Sequence, residues 1–109
     1  MTGPADNAIK ELIGIWDVTM KTPIGSLSAV YVFTHNGNEV VGTATGAGEE
    51  TPVTAVRVEG PRVTWRQSVR KPLRLNLEFD VEVRSGEMLG HSRAGRLPKT
   101  QVSGHRRSG

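Results

Sequence analysis

The stretch LRLNLEFDVEV, residues 73–83, decides the fold class of this chain. Apolar side chains alternate with polar or charged ones at all eleven positions. Successive side chains of a β-strand point to opposite faces, so the alternation predicts a strand with one buried face and one wet face. Such strands are typical of antiparallel sheets, and the stretch therefore favours an all-β protein.

The same period of two recurs along most of the chain. Together with the first stretch, seven other segments predict eight strands, at residues 15–21, 27–34, 40–45, 52–58, 63–69, 73–83, 88–93 and 99–106. Asn36-Gly37 is a strong hairpin signal, and residues 46–50 are expected to form a loop. Short strands at even spacing indicate a sandwich or a barrel. Because every connection is short, we expect an antiparallel up-and-down barrel, whose closure removes exposed edges.

One segment before the strands has a helical period instead. Residues 6–13 predict a short helix, with Asp6 suited to the N-cap and Gly14 to the C-terminal stop. Two turns of helix are not stable alone, so we expect this helix to lie across one end of the barrel. The chain is thereby divided into a tail and helix at residues 1–13, a barrel at 14–106 and a tail at 107–109.

Composition limits the chemistry. A length of 109 residues fits one domain. There is no cysteine, which excludes disulfides, thiolate metal sites and cysteine nucleophiles. The three histidines have no metal-ligand spacing, so we expect neither a metal nor a cofactor. No apolar run is long enough to cross a membrane and residues 1–6 do not resemble a secretion signal, so a cytoplasmic location is expected.

The aromatic side chains indicate what the barrel interior contains. The strand registers place all five on the inward face: Trp16, Tyr31, Phe33, Trp65 and Phe79. An eight-stranded barrel is just wide enough either to fill itself or to hold one small ligand, and both remain open. The candidate ligand-binding side chains are these five with Leu75, Leu77 and Met88. Small inward residues would leave room for a ligand, namely Gly42, Ala44, Gly90, Ser92 and Gly104.

Gly14-Ile15-Trp16 resembles the Gly-x-Trp motif that opens the first strand in the lipocalin/calycin group. In that group an arginine near the end of the last strand packs over the tryptophan, and Arg106 (or Arg107) occupies that place here. The resemblance implies a calycin-like barrel closed at one end by Trp16 and Arg106, where a guanidinium over an indole is a favourable cation–π pair.

A longer resemblance is to a compact bacterial β-domain of poorly defined function. Its pattern W-x-V-T-x-K-T-P-x-G matches residues 16–25, and further segments match at 50–54 and 103–106. The resemblance covers about residues 14–106 and departs at 94–101. It implies a fold and not a reaction, since such folds host many functions.

Three functions are compatible with this sequence. The first is a module that binds an apolar or aromatic small molecule inside the barrel. The second is a cofactor-independent cyclase or isomerase that acts by shape and positioning, with Tyr31 or Gln67 polarising a carbonyl. Neither function requires a membrane, and a barrel this small is also compatible with a homodimer.

The third function is nucleic-acid binding by the basic C-terminal half. Residues 57–109 have a formal net charge of +7, against −4 for residues 1–56. The candidate cations are Arg62, Arg66, Arg70, Lys71, Arg93, Arg96 and Lys99. Proteins that bind single strands expose aromatic rings for stacking, whereas the aromatic rings here are predicted inside. This alternative is therefore disfavoured, and a solvated barrel exterior explains the charge better.

Overall fold

The computed structural model describes residues 4–22, 25–37, 39–70 and 74–108, with side chains from residue 8 onward. A helix, α1 (Pro4–Leu12), precedes eight strands: β1 (Gly14–Thr22), β2 (Gly25–Asn36), β3 (Glu39–Gly46), β4 (Glu49–Glu59), β5 (Arg62–Val69), β6 (Leu75–Arg84), β7 (Glu87–Arg93) and β8 (Thr100–Arg106). The predicted helix is confirmed with bounds shifted by one or two residues. Asp6 is the third residue of this helix and not the residue before it, so the predicted N-cap position is wrong.

The strands form a closed antiparallel barrel in up-and-down order. Each strand pairs with the next one along the chain, and β8 returns to pair with β1. Trp16 shows the closure directly, because it lies opposite Tyr31 on one side and opposite Arg106 on the other. The predicted fold class is confirmed, including the number of strands and their order.

Two predicted connections differ in the structure, and the ends of the strands shift by up to three residues. Residues 46–50 form a tight hairpin instead of a loop, because Ala47 and Gly48 adopt left-handed φ angles of 52° and 74°. Two successive positive φ angles match the twist of the flanking strands, and β3 therefore passes directly into β4. The predicted hairpin after β2 is confirmed, but β2 extends through Asn36 so that residues 37–38 connect the strands. The strand predicted at 73–83 is described from Leu75 to Arg84, and residues 71–73 lie outside the described chain.

A bulge changes which side chains of β4 point into the barrel. The register with β5 shifts between Thr54 and Arg57, and Ala55 adopts a φ of 53°. An extra residue in one strand reverses the alternation beyond it. As a result, Thr51 faces inward before the bulge, whereas Val56 and Val58 face inward after it.

Aromatic rings fill the middle of the barrel. Tyr31, Phe33, Trp65 and Phe79 are each no more than 1% exposed, as is Trp16, so the predicted inward placement is confirmed. Trp65 stacks on Phe79 with ring centroids 4.8 Å apart, and Phe33 meets Trp65 edge-on at 5.3 Å. Such pairs contribute about 0.5–1.5 kcal/mol each beyond their buried area.

The inward glycines do not leave the room that the sequence suggested. A Cβ at Gly42 would lie 3.0 Å from the Phe33 ring, and one at Gly104 would lie 3.1 Å from Val18. At Gly90 it would lie 2.5 Å from the Cα atom of Val81. These glycines allow strands and neighbouring side chains to approach closely, which makes this part of the barrel dense instead of hollow.

Helix α1 covers one end of the barrel, as predicted. Leu12 is completely buried in the core, and its carbonyl oxygen accepts a hydrogen bond of 2.8 Å from the indole Nε1 of Trp16. The last carbonyls of a helix have no partners within the helix. Arg106 Nη1 donates to three carbonyl oxygens at this helix end, those of Lys10, Glu11 and Ile13, at 3.2, 3.1 and 3.4 Å.

Candidate ligand-binding site

A pocket of about 380 Å³ opens at the end of the barrel opposite α1. All eight strands contribute to its lining: Met20, Thr22, Ser26, Leu27, Ser28, Ala29, Tyr31, Ala44, Gly46, Ala47, Glu49, Thr51, Gln67, Val69, Leu75, Leu77, Ser92 and Thr100. This volume lies within the range of about 300–1,000 Å³ typical of small-molecule sites.

The wall and mouth of the pocket are mainly apolar. Met20, Leu27, Val69, Leu75 and Leu77 all line it, and none of them is fully buried. Leu27 is 44% exposed although its strand register points it inward, because it lies at the open mouth. An exposed leucine that is directed into a cavity provides apolar surface for a ligand to cover.

The floor of the pocket is polar. Three polar residues are buried in the described part of the chain, Thr51, Gln67 and Ser92, and all three line this pocket. The hydroxyl group of Tyr31 joins them, on a ring that is itself completely buried. The buried polar residues are therefore concentrated at the floor of the pocket, whereas in the described part of the packed core the indole Nε1 of Trp65 is buried without a hydrogen-bond partner.

A chain of hydrogen bonds orders these floor groups. Tyr31 Oη donates to Gln67 Oε1 at 2.7 Å, and Gln67 Nε2 donates to Thr51 Oγ1 at 2.9 Å. Burial raises the pKa of Tyr31 far above its usual value, and the hydrogen bond with Gln67 opposes that effect only in part. The phenol is thus neutral at physiological pH and can act as a hydrogen-bonding group but not as a general base.

The pocket carries little charge. Glu49 is the one charged residue among the described residues that line it, and no Lys, Arg or His is included. Glu49 Oε1 and Oε2 accept hydrogen bonds of 3.0 and 3.1 Å from the backbone N–H of Arg70. The chain has fourteen Lys and Arg residues, and none of those that the structure describes lines the pocket.

The structure separates the predicted ligand-binding residues into two groups. Tyr31, Leu75 and Leu77 line the pocket. The others do not line it and belong to the packed part of the barrel: Trp16, Phe33, Trp65, Phe79 and Met88. The two predicted catalytic residues, Tyr31 and Gln67, are brought into direct hydrogen-bond contact at the floor.

Sequence reasoning missed several contributors to the site, Thr51 and Leu27 among them. Thr51 precedes the predicted strand 52–58, and its inward direction depends on the bulge that follows it. Leu27 begins the predicted strand 27–34, but no signal in the sequence showed that its height along the barrel is that of the mouth. Ser92 was included only as a small residue, although it carries one of the buried hydroxyl groups at the floor.

Trp16 and Arg106 lie at the opposite end from the pocket. The two residues are cross-strand partners, but the cation–π contact that the resemblance implied is not among the ring contacts of the described residues. The polar contacts of the guanidinium are with the carbonyls at the end of α1, so Arg106 joins the last strand to the helix. Arg107 faces elsewhere and forms a bidentate ion pair with Asp17 at 2.8 and 2.9 Å.

Several of the candidate nucleic-acid contacts share a groove on the outer face of β4–β7. Arg62, Arg66, Arg93 and Lys99 line it with Arg57, and so do Glu78 and Asp80. Arg62 donates two hydrogen bonds to Asp80, at 3.0 and 2.8 Å, which neutralises part of the positive charge. Lys71 lies outside the described residues. All five aromatic rings are buried, so this surface offers no ring for base stacking.

The described residues contain no group of three His, Cys, Asp or Glu side chains that could hold a metal ion. Among the same residues, no helix is long and apolar enough to cross a membrane. The chain matches no family model, and no curated protein and no solved structure matches it significantly. Fold and site together define its class: a closed eight-stranded antiparallel barrel with a pocket in one end, an architecture compatible with a calycin-like fold.

Proposed function

We propose that this protein binds a small, predominantly apolar molecule in the pocket at the open end of the barrel. The observation that carries the proposal is that the buried polar residues of the described chain all lie on the floor of one apolar-walled pocket. Burying a polar group destabilises a protein unless the group finds a partner. A barrel that only had to fold would have apolar side chains at these inward positions.

Membership of the calycin-like group is part of the same proposal. It is supported by the up-and-down order of the strands, by the helix across one end and by Arg106 on the closing strand. Barrels of this kind can hold one small ligand at the open end while the other end is packed.

A matched pair of leucine variants tests the proposal. Leu27 and Leu89 are both exposed, by 44% and 59%, but only Leu27 lines the pocket. Binding is followed by the fluorescence of N-phenyl-1-naphthylamine, an uncharged apolar probe. Leu27→Glu removes apolar contact and places a charge at the mouth, so we expect the Kd of the probe to rise at least about fivefold.

Leu89→Glu adds the same charge to the outer surface and should leave the Kd of the probe unchanged. We expect saturable binding of one probe molecule per chain, and we expect only Leu27→Glu to weaken it. Equal effects of the two substitutions, or no saturable binding across a panel of neutral apolar probes, would refute the proposal.

A second candidate is a cofactor-independent cyclase or isomerase, and the contact between Tyr31 and Gln67 favours it. A neutral phenol and an amide at the floor of a small apolar pocket can hold a folded substrate and polarise its carbonyl without acid–base chemistry. Under this hypothesis Tyr31→Phe and Gln67→Leu abolish turnover of a polyene or polyketide-like substrate and still bind the neutral probe. If both variants retain turnover, the enzymatic role is wrong and the binding role is unaffected.

A further inference from the structure

The charge around the pocket limits what kind of molecule can enter it. An ionised carboxylate or phosphate that leaves water loses its hydration and needs a cation or several donors in return. The only charged side chain in the described lining is the carboxylate of Glu49, so none of the described lining residues is a cation that could pair with an anion. The basic side chains that the structure describes do not line the pocket, so its described lining disfavours anionic ligands.

The hydrogen-bonding capacity left at the floor is rich in donors. Tyr31 uses its one proton on Gln67, and Gln67 uses one of its two amide hydrogens on Thr51. The other amide hydrogen, the hydroxyl proton of Thr51 and the hydroxyl group of Ser92 have no partner in the described part of the chain. An amide hydrogen can only donate, and each hydroxyl can donate as well.

We infer that the ligand is an uncharged molecule with a hydrogen-bond-accepting oxygen, such as a ketone, ester or amide carbonyl, at the end that enters the barrel first. Its apolar body covers the wall formed by Met20, Leu27, Leu75 and Leu77. Its oxygen meets the donors of the floor, chiefly the hydroxyl of Thr51. This inference rests on the proposed binding function and adds the chemical class of the ligand.

Three molecules of almost identical shape separate the contribution of an accepting oxygen to ligand affinity from that of a negative charge. 2-Acetylnaphthalene carries a ketone, 2-isopropenylnaphthalene replaces its oxygen by a methylene group, and 2-naphthoate replaces its methyl group by a charged oxygen. Displacement of bound N-phenyl-1-naphthylamine measures the affinity of each for the full chain. We expect the ketone to bind about 2–10-fold more tightly than the alkene, since one net hydrogen bond is gained. The carboxylate should bind at least about tenfold more weakly than the alkene.

A variant of the floor tests the position of the oxygen. Thr51→Val keeps the shape and removes the hydroxyl donor, so the ratio of ketone to alkene affinity should fall towards one while alkene affinity changes less than about twofold. Thr45→Val, at an exposed position on β3, is the matched control and should preserve the ratio. A thermal melt of each variant shows that it is folded.

A measurement on the unaltered protein does not depend on any variant. The neutral acid form of 2-naphthoate becomes more abundant as the pH falls towards the pKa of a carboxyl group, about 4. The apparent affinity for 2-naphthoate should therefore rise as the pH falls from about 7.5 to about 5.5, by about tenfold per unit where only the neutral acid binds and by less where the anion also binds, and that for the ketone should stay constant.

The outcomes distinguish this inference from the proposed function. If all three molecules bind within about twofold of one another, the pocket binds apolar molecules but does not select for a neutral acceptor, and the inference is overturned. Tighter binding of the carboxylate also overturns it. If neither the probe nor any of the three molecules binds, the proposed function fails and the inference fails with it.

Discussion

A methyl group at Gly90 would collide with the backbone of the neighbouring strand. In Gly90→Ala the new Cβ would lie 2.2 Å from the carbonyl oxygen of Asp80 and 2.5 Å from the Cα atom of Val81. Both atoms belong to the backbone of β6, which pairs with β7 at this point, so neither can rotate away. The two strands would have to separate by roughly 1 Å to restore a normal contact distance.

We expect Gly90→Ala to destabilise the protein by about 3 kcal/mol, the upper end of the usual cost of overpacking. A domain of this size is stable by about 5–15 kcal/mol, so the variant still folds at low temperature. The corresponding fall in Tm is about 12–24 °C, measured by circular dichroism during heating and checked by urea unfolding.

Gly104→Ala is the matched control, since neither glycine adopts a positive φ. Its Cβ would lie 3.1 Å from the nearest atoms, the carbonyl oxygen of Asp17 and Cγ2 of Val18, so movements of a few tenths of an ångström suffice. Alanine is better than glycine within a strand by about 0.5–1 kcal/mol, which offsets the remaining strain. Equal melting temperatures for the two variants would contradict the idea that the close approach of β6 and β7 requires glycine at position 90.

Four further substitutions probe the helix contact, the floor and the surface charge. Arg106→Ala removes the donor to the carbonyls at the end of α1, and a loss of about 1–2 kcal/mol in urea unfolding is expected. Tyr31→Phe leaves Gln67 Oε1 without its donor and should destabilise the protein by about 1 kcal/mol. The effect of Gln67→Leu should not add to that loss in a double-mutant cycle, and full additivity would mean that the two side chains are uncoupled. The hydrogen bond from Arg107 lowers the pKa of Asp17 in the folded state, so its contribution is present above the unfolded pKa and is lost as the pH falls through the folded pKa. The stability advantage of the native protein over Asp17→Asn should therefore be present at neutral pH and vanish once the pH falls below the folded pKa of Asp17, whereas a pH-independent difference would contradict the ion pair.

The barrel was predictable from sequence because one physical rule acts along most of the chain. Side chains of a half-buried strand alternate, and the pattern at residues 73–83 and in its neighbours shows which face is inside. Local exceptions were less predictable. Ala47 takes a left-handed φ that favours glycine, so the residue type at position 47 did not predict the hairpin.

The position of the pocket could not be read from the same rule. Alternation tells whether a side chain points inward, but it does not give the height of that side chain along the barrel axis. Phe33 and Leu75 therefore looked equivalent, although one lies in the aromatic core and the other at the mouth of the pocket. Tyr31 and Gln67 were identifiable because they combine an inward register with a polar group, which few other positions in the chain do.

Ser92 separates stability from binding most sharply, because the residue is only 3% exposed, lines the pocket and has a hydroxyl with no protein partner in the described part of the chain. If that hydroxyl served only packing, alanine would serve at least as well there, since the hydroxyl gains no hydrogen bond within the protein to offset its desolvation. We therefore expect Ser92→Ala to maintain stability in urea, or to raise it by up to about 1 kcal/mol. The same variant should lower the preference for 2-acetylnaphthalene over its alkene analogue. A clear loss of stability together with an unchanged preference would mean that Ser92 supports the barrel and does not face the ligand. A gain in stability with a loss of preference is the trade-off expected where a chain retains a costly polar group for function.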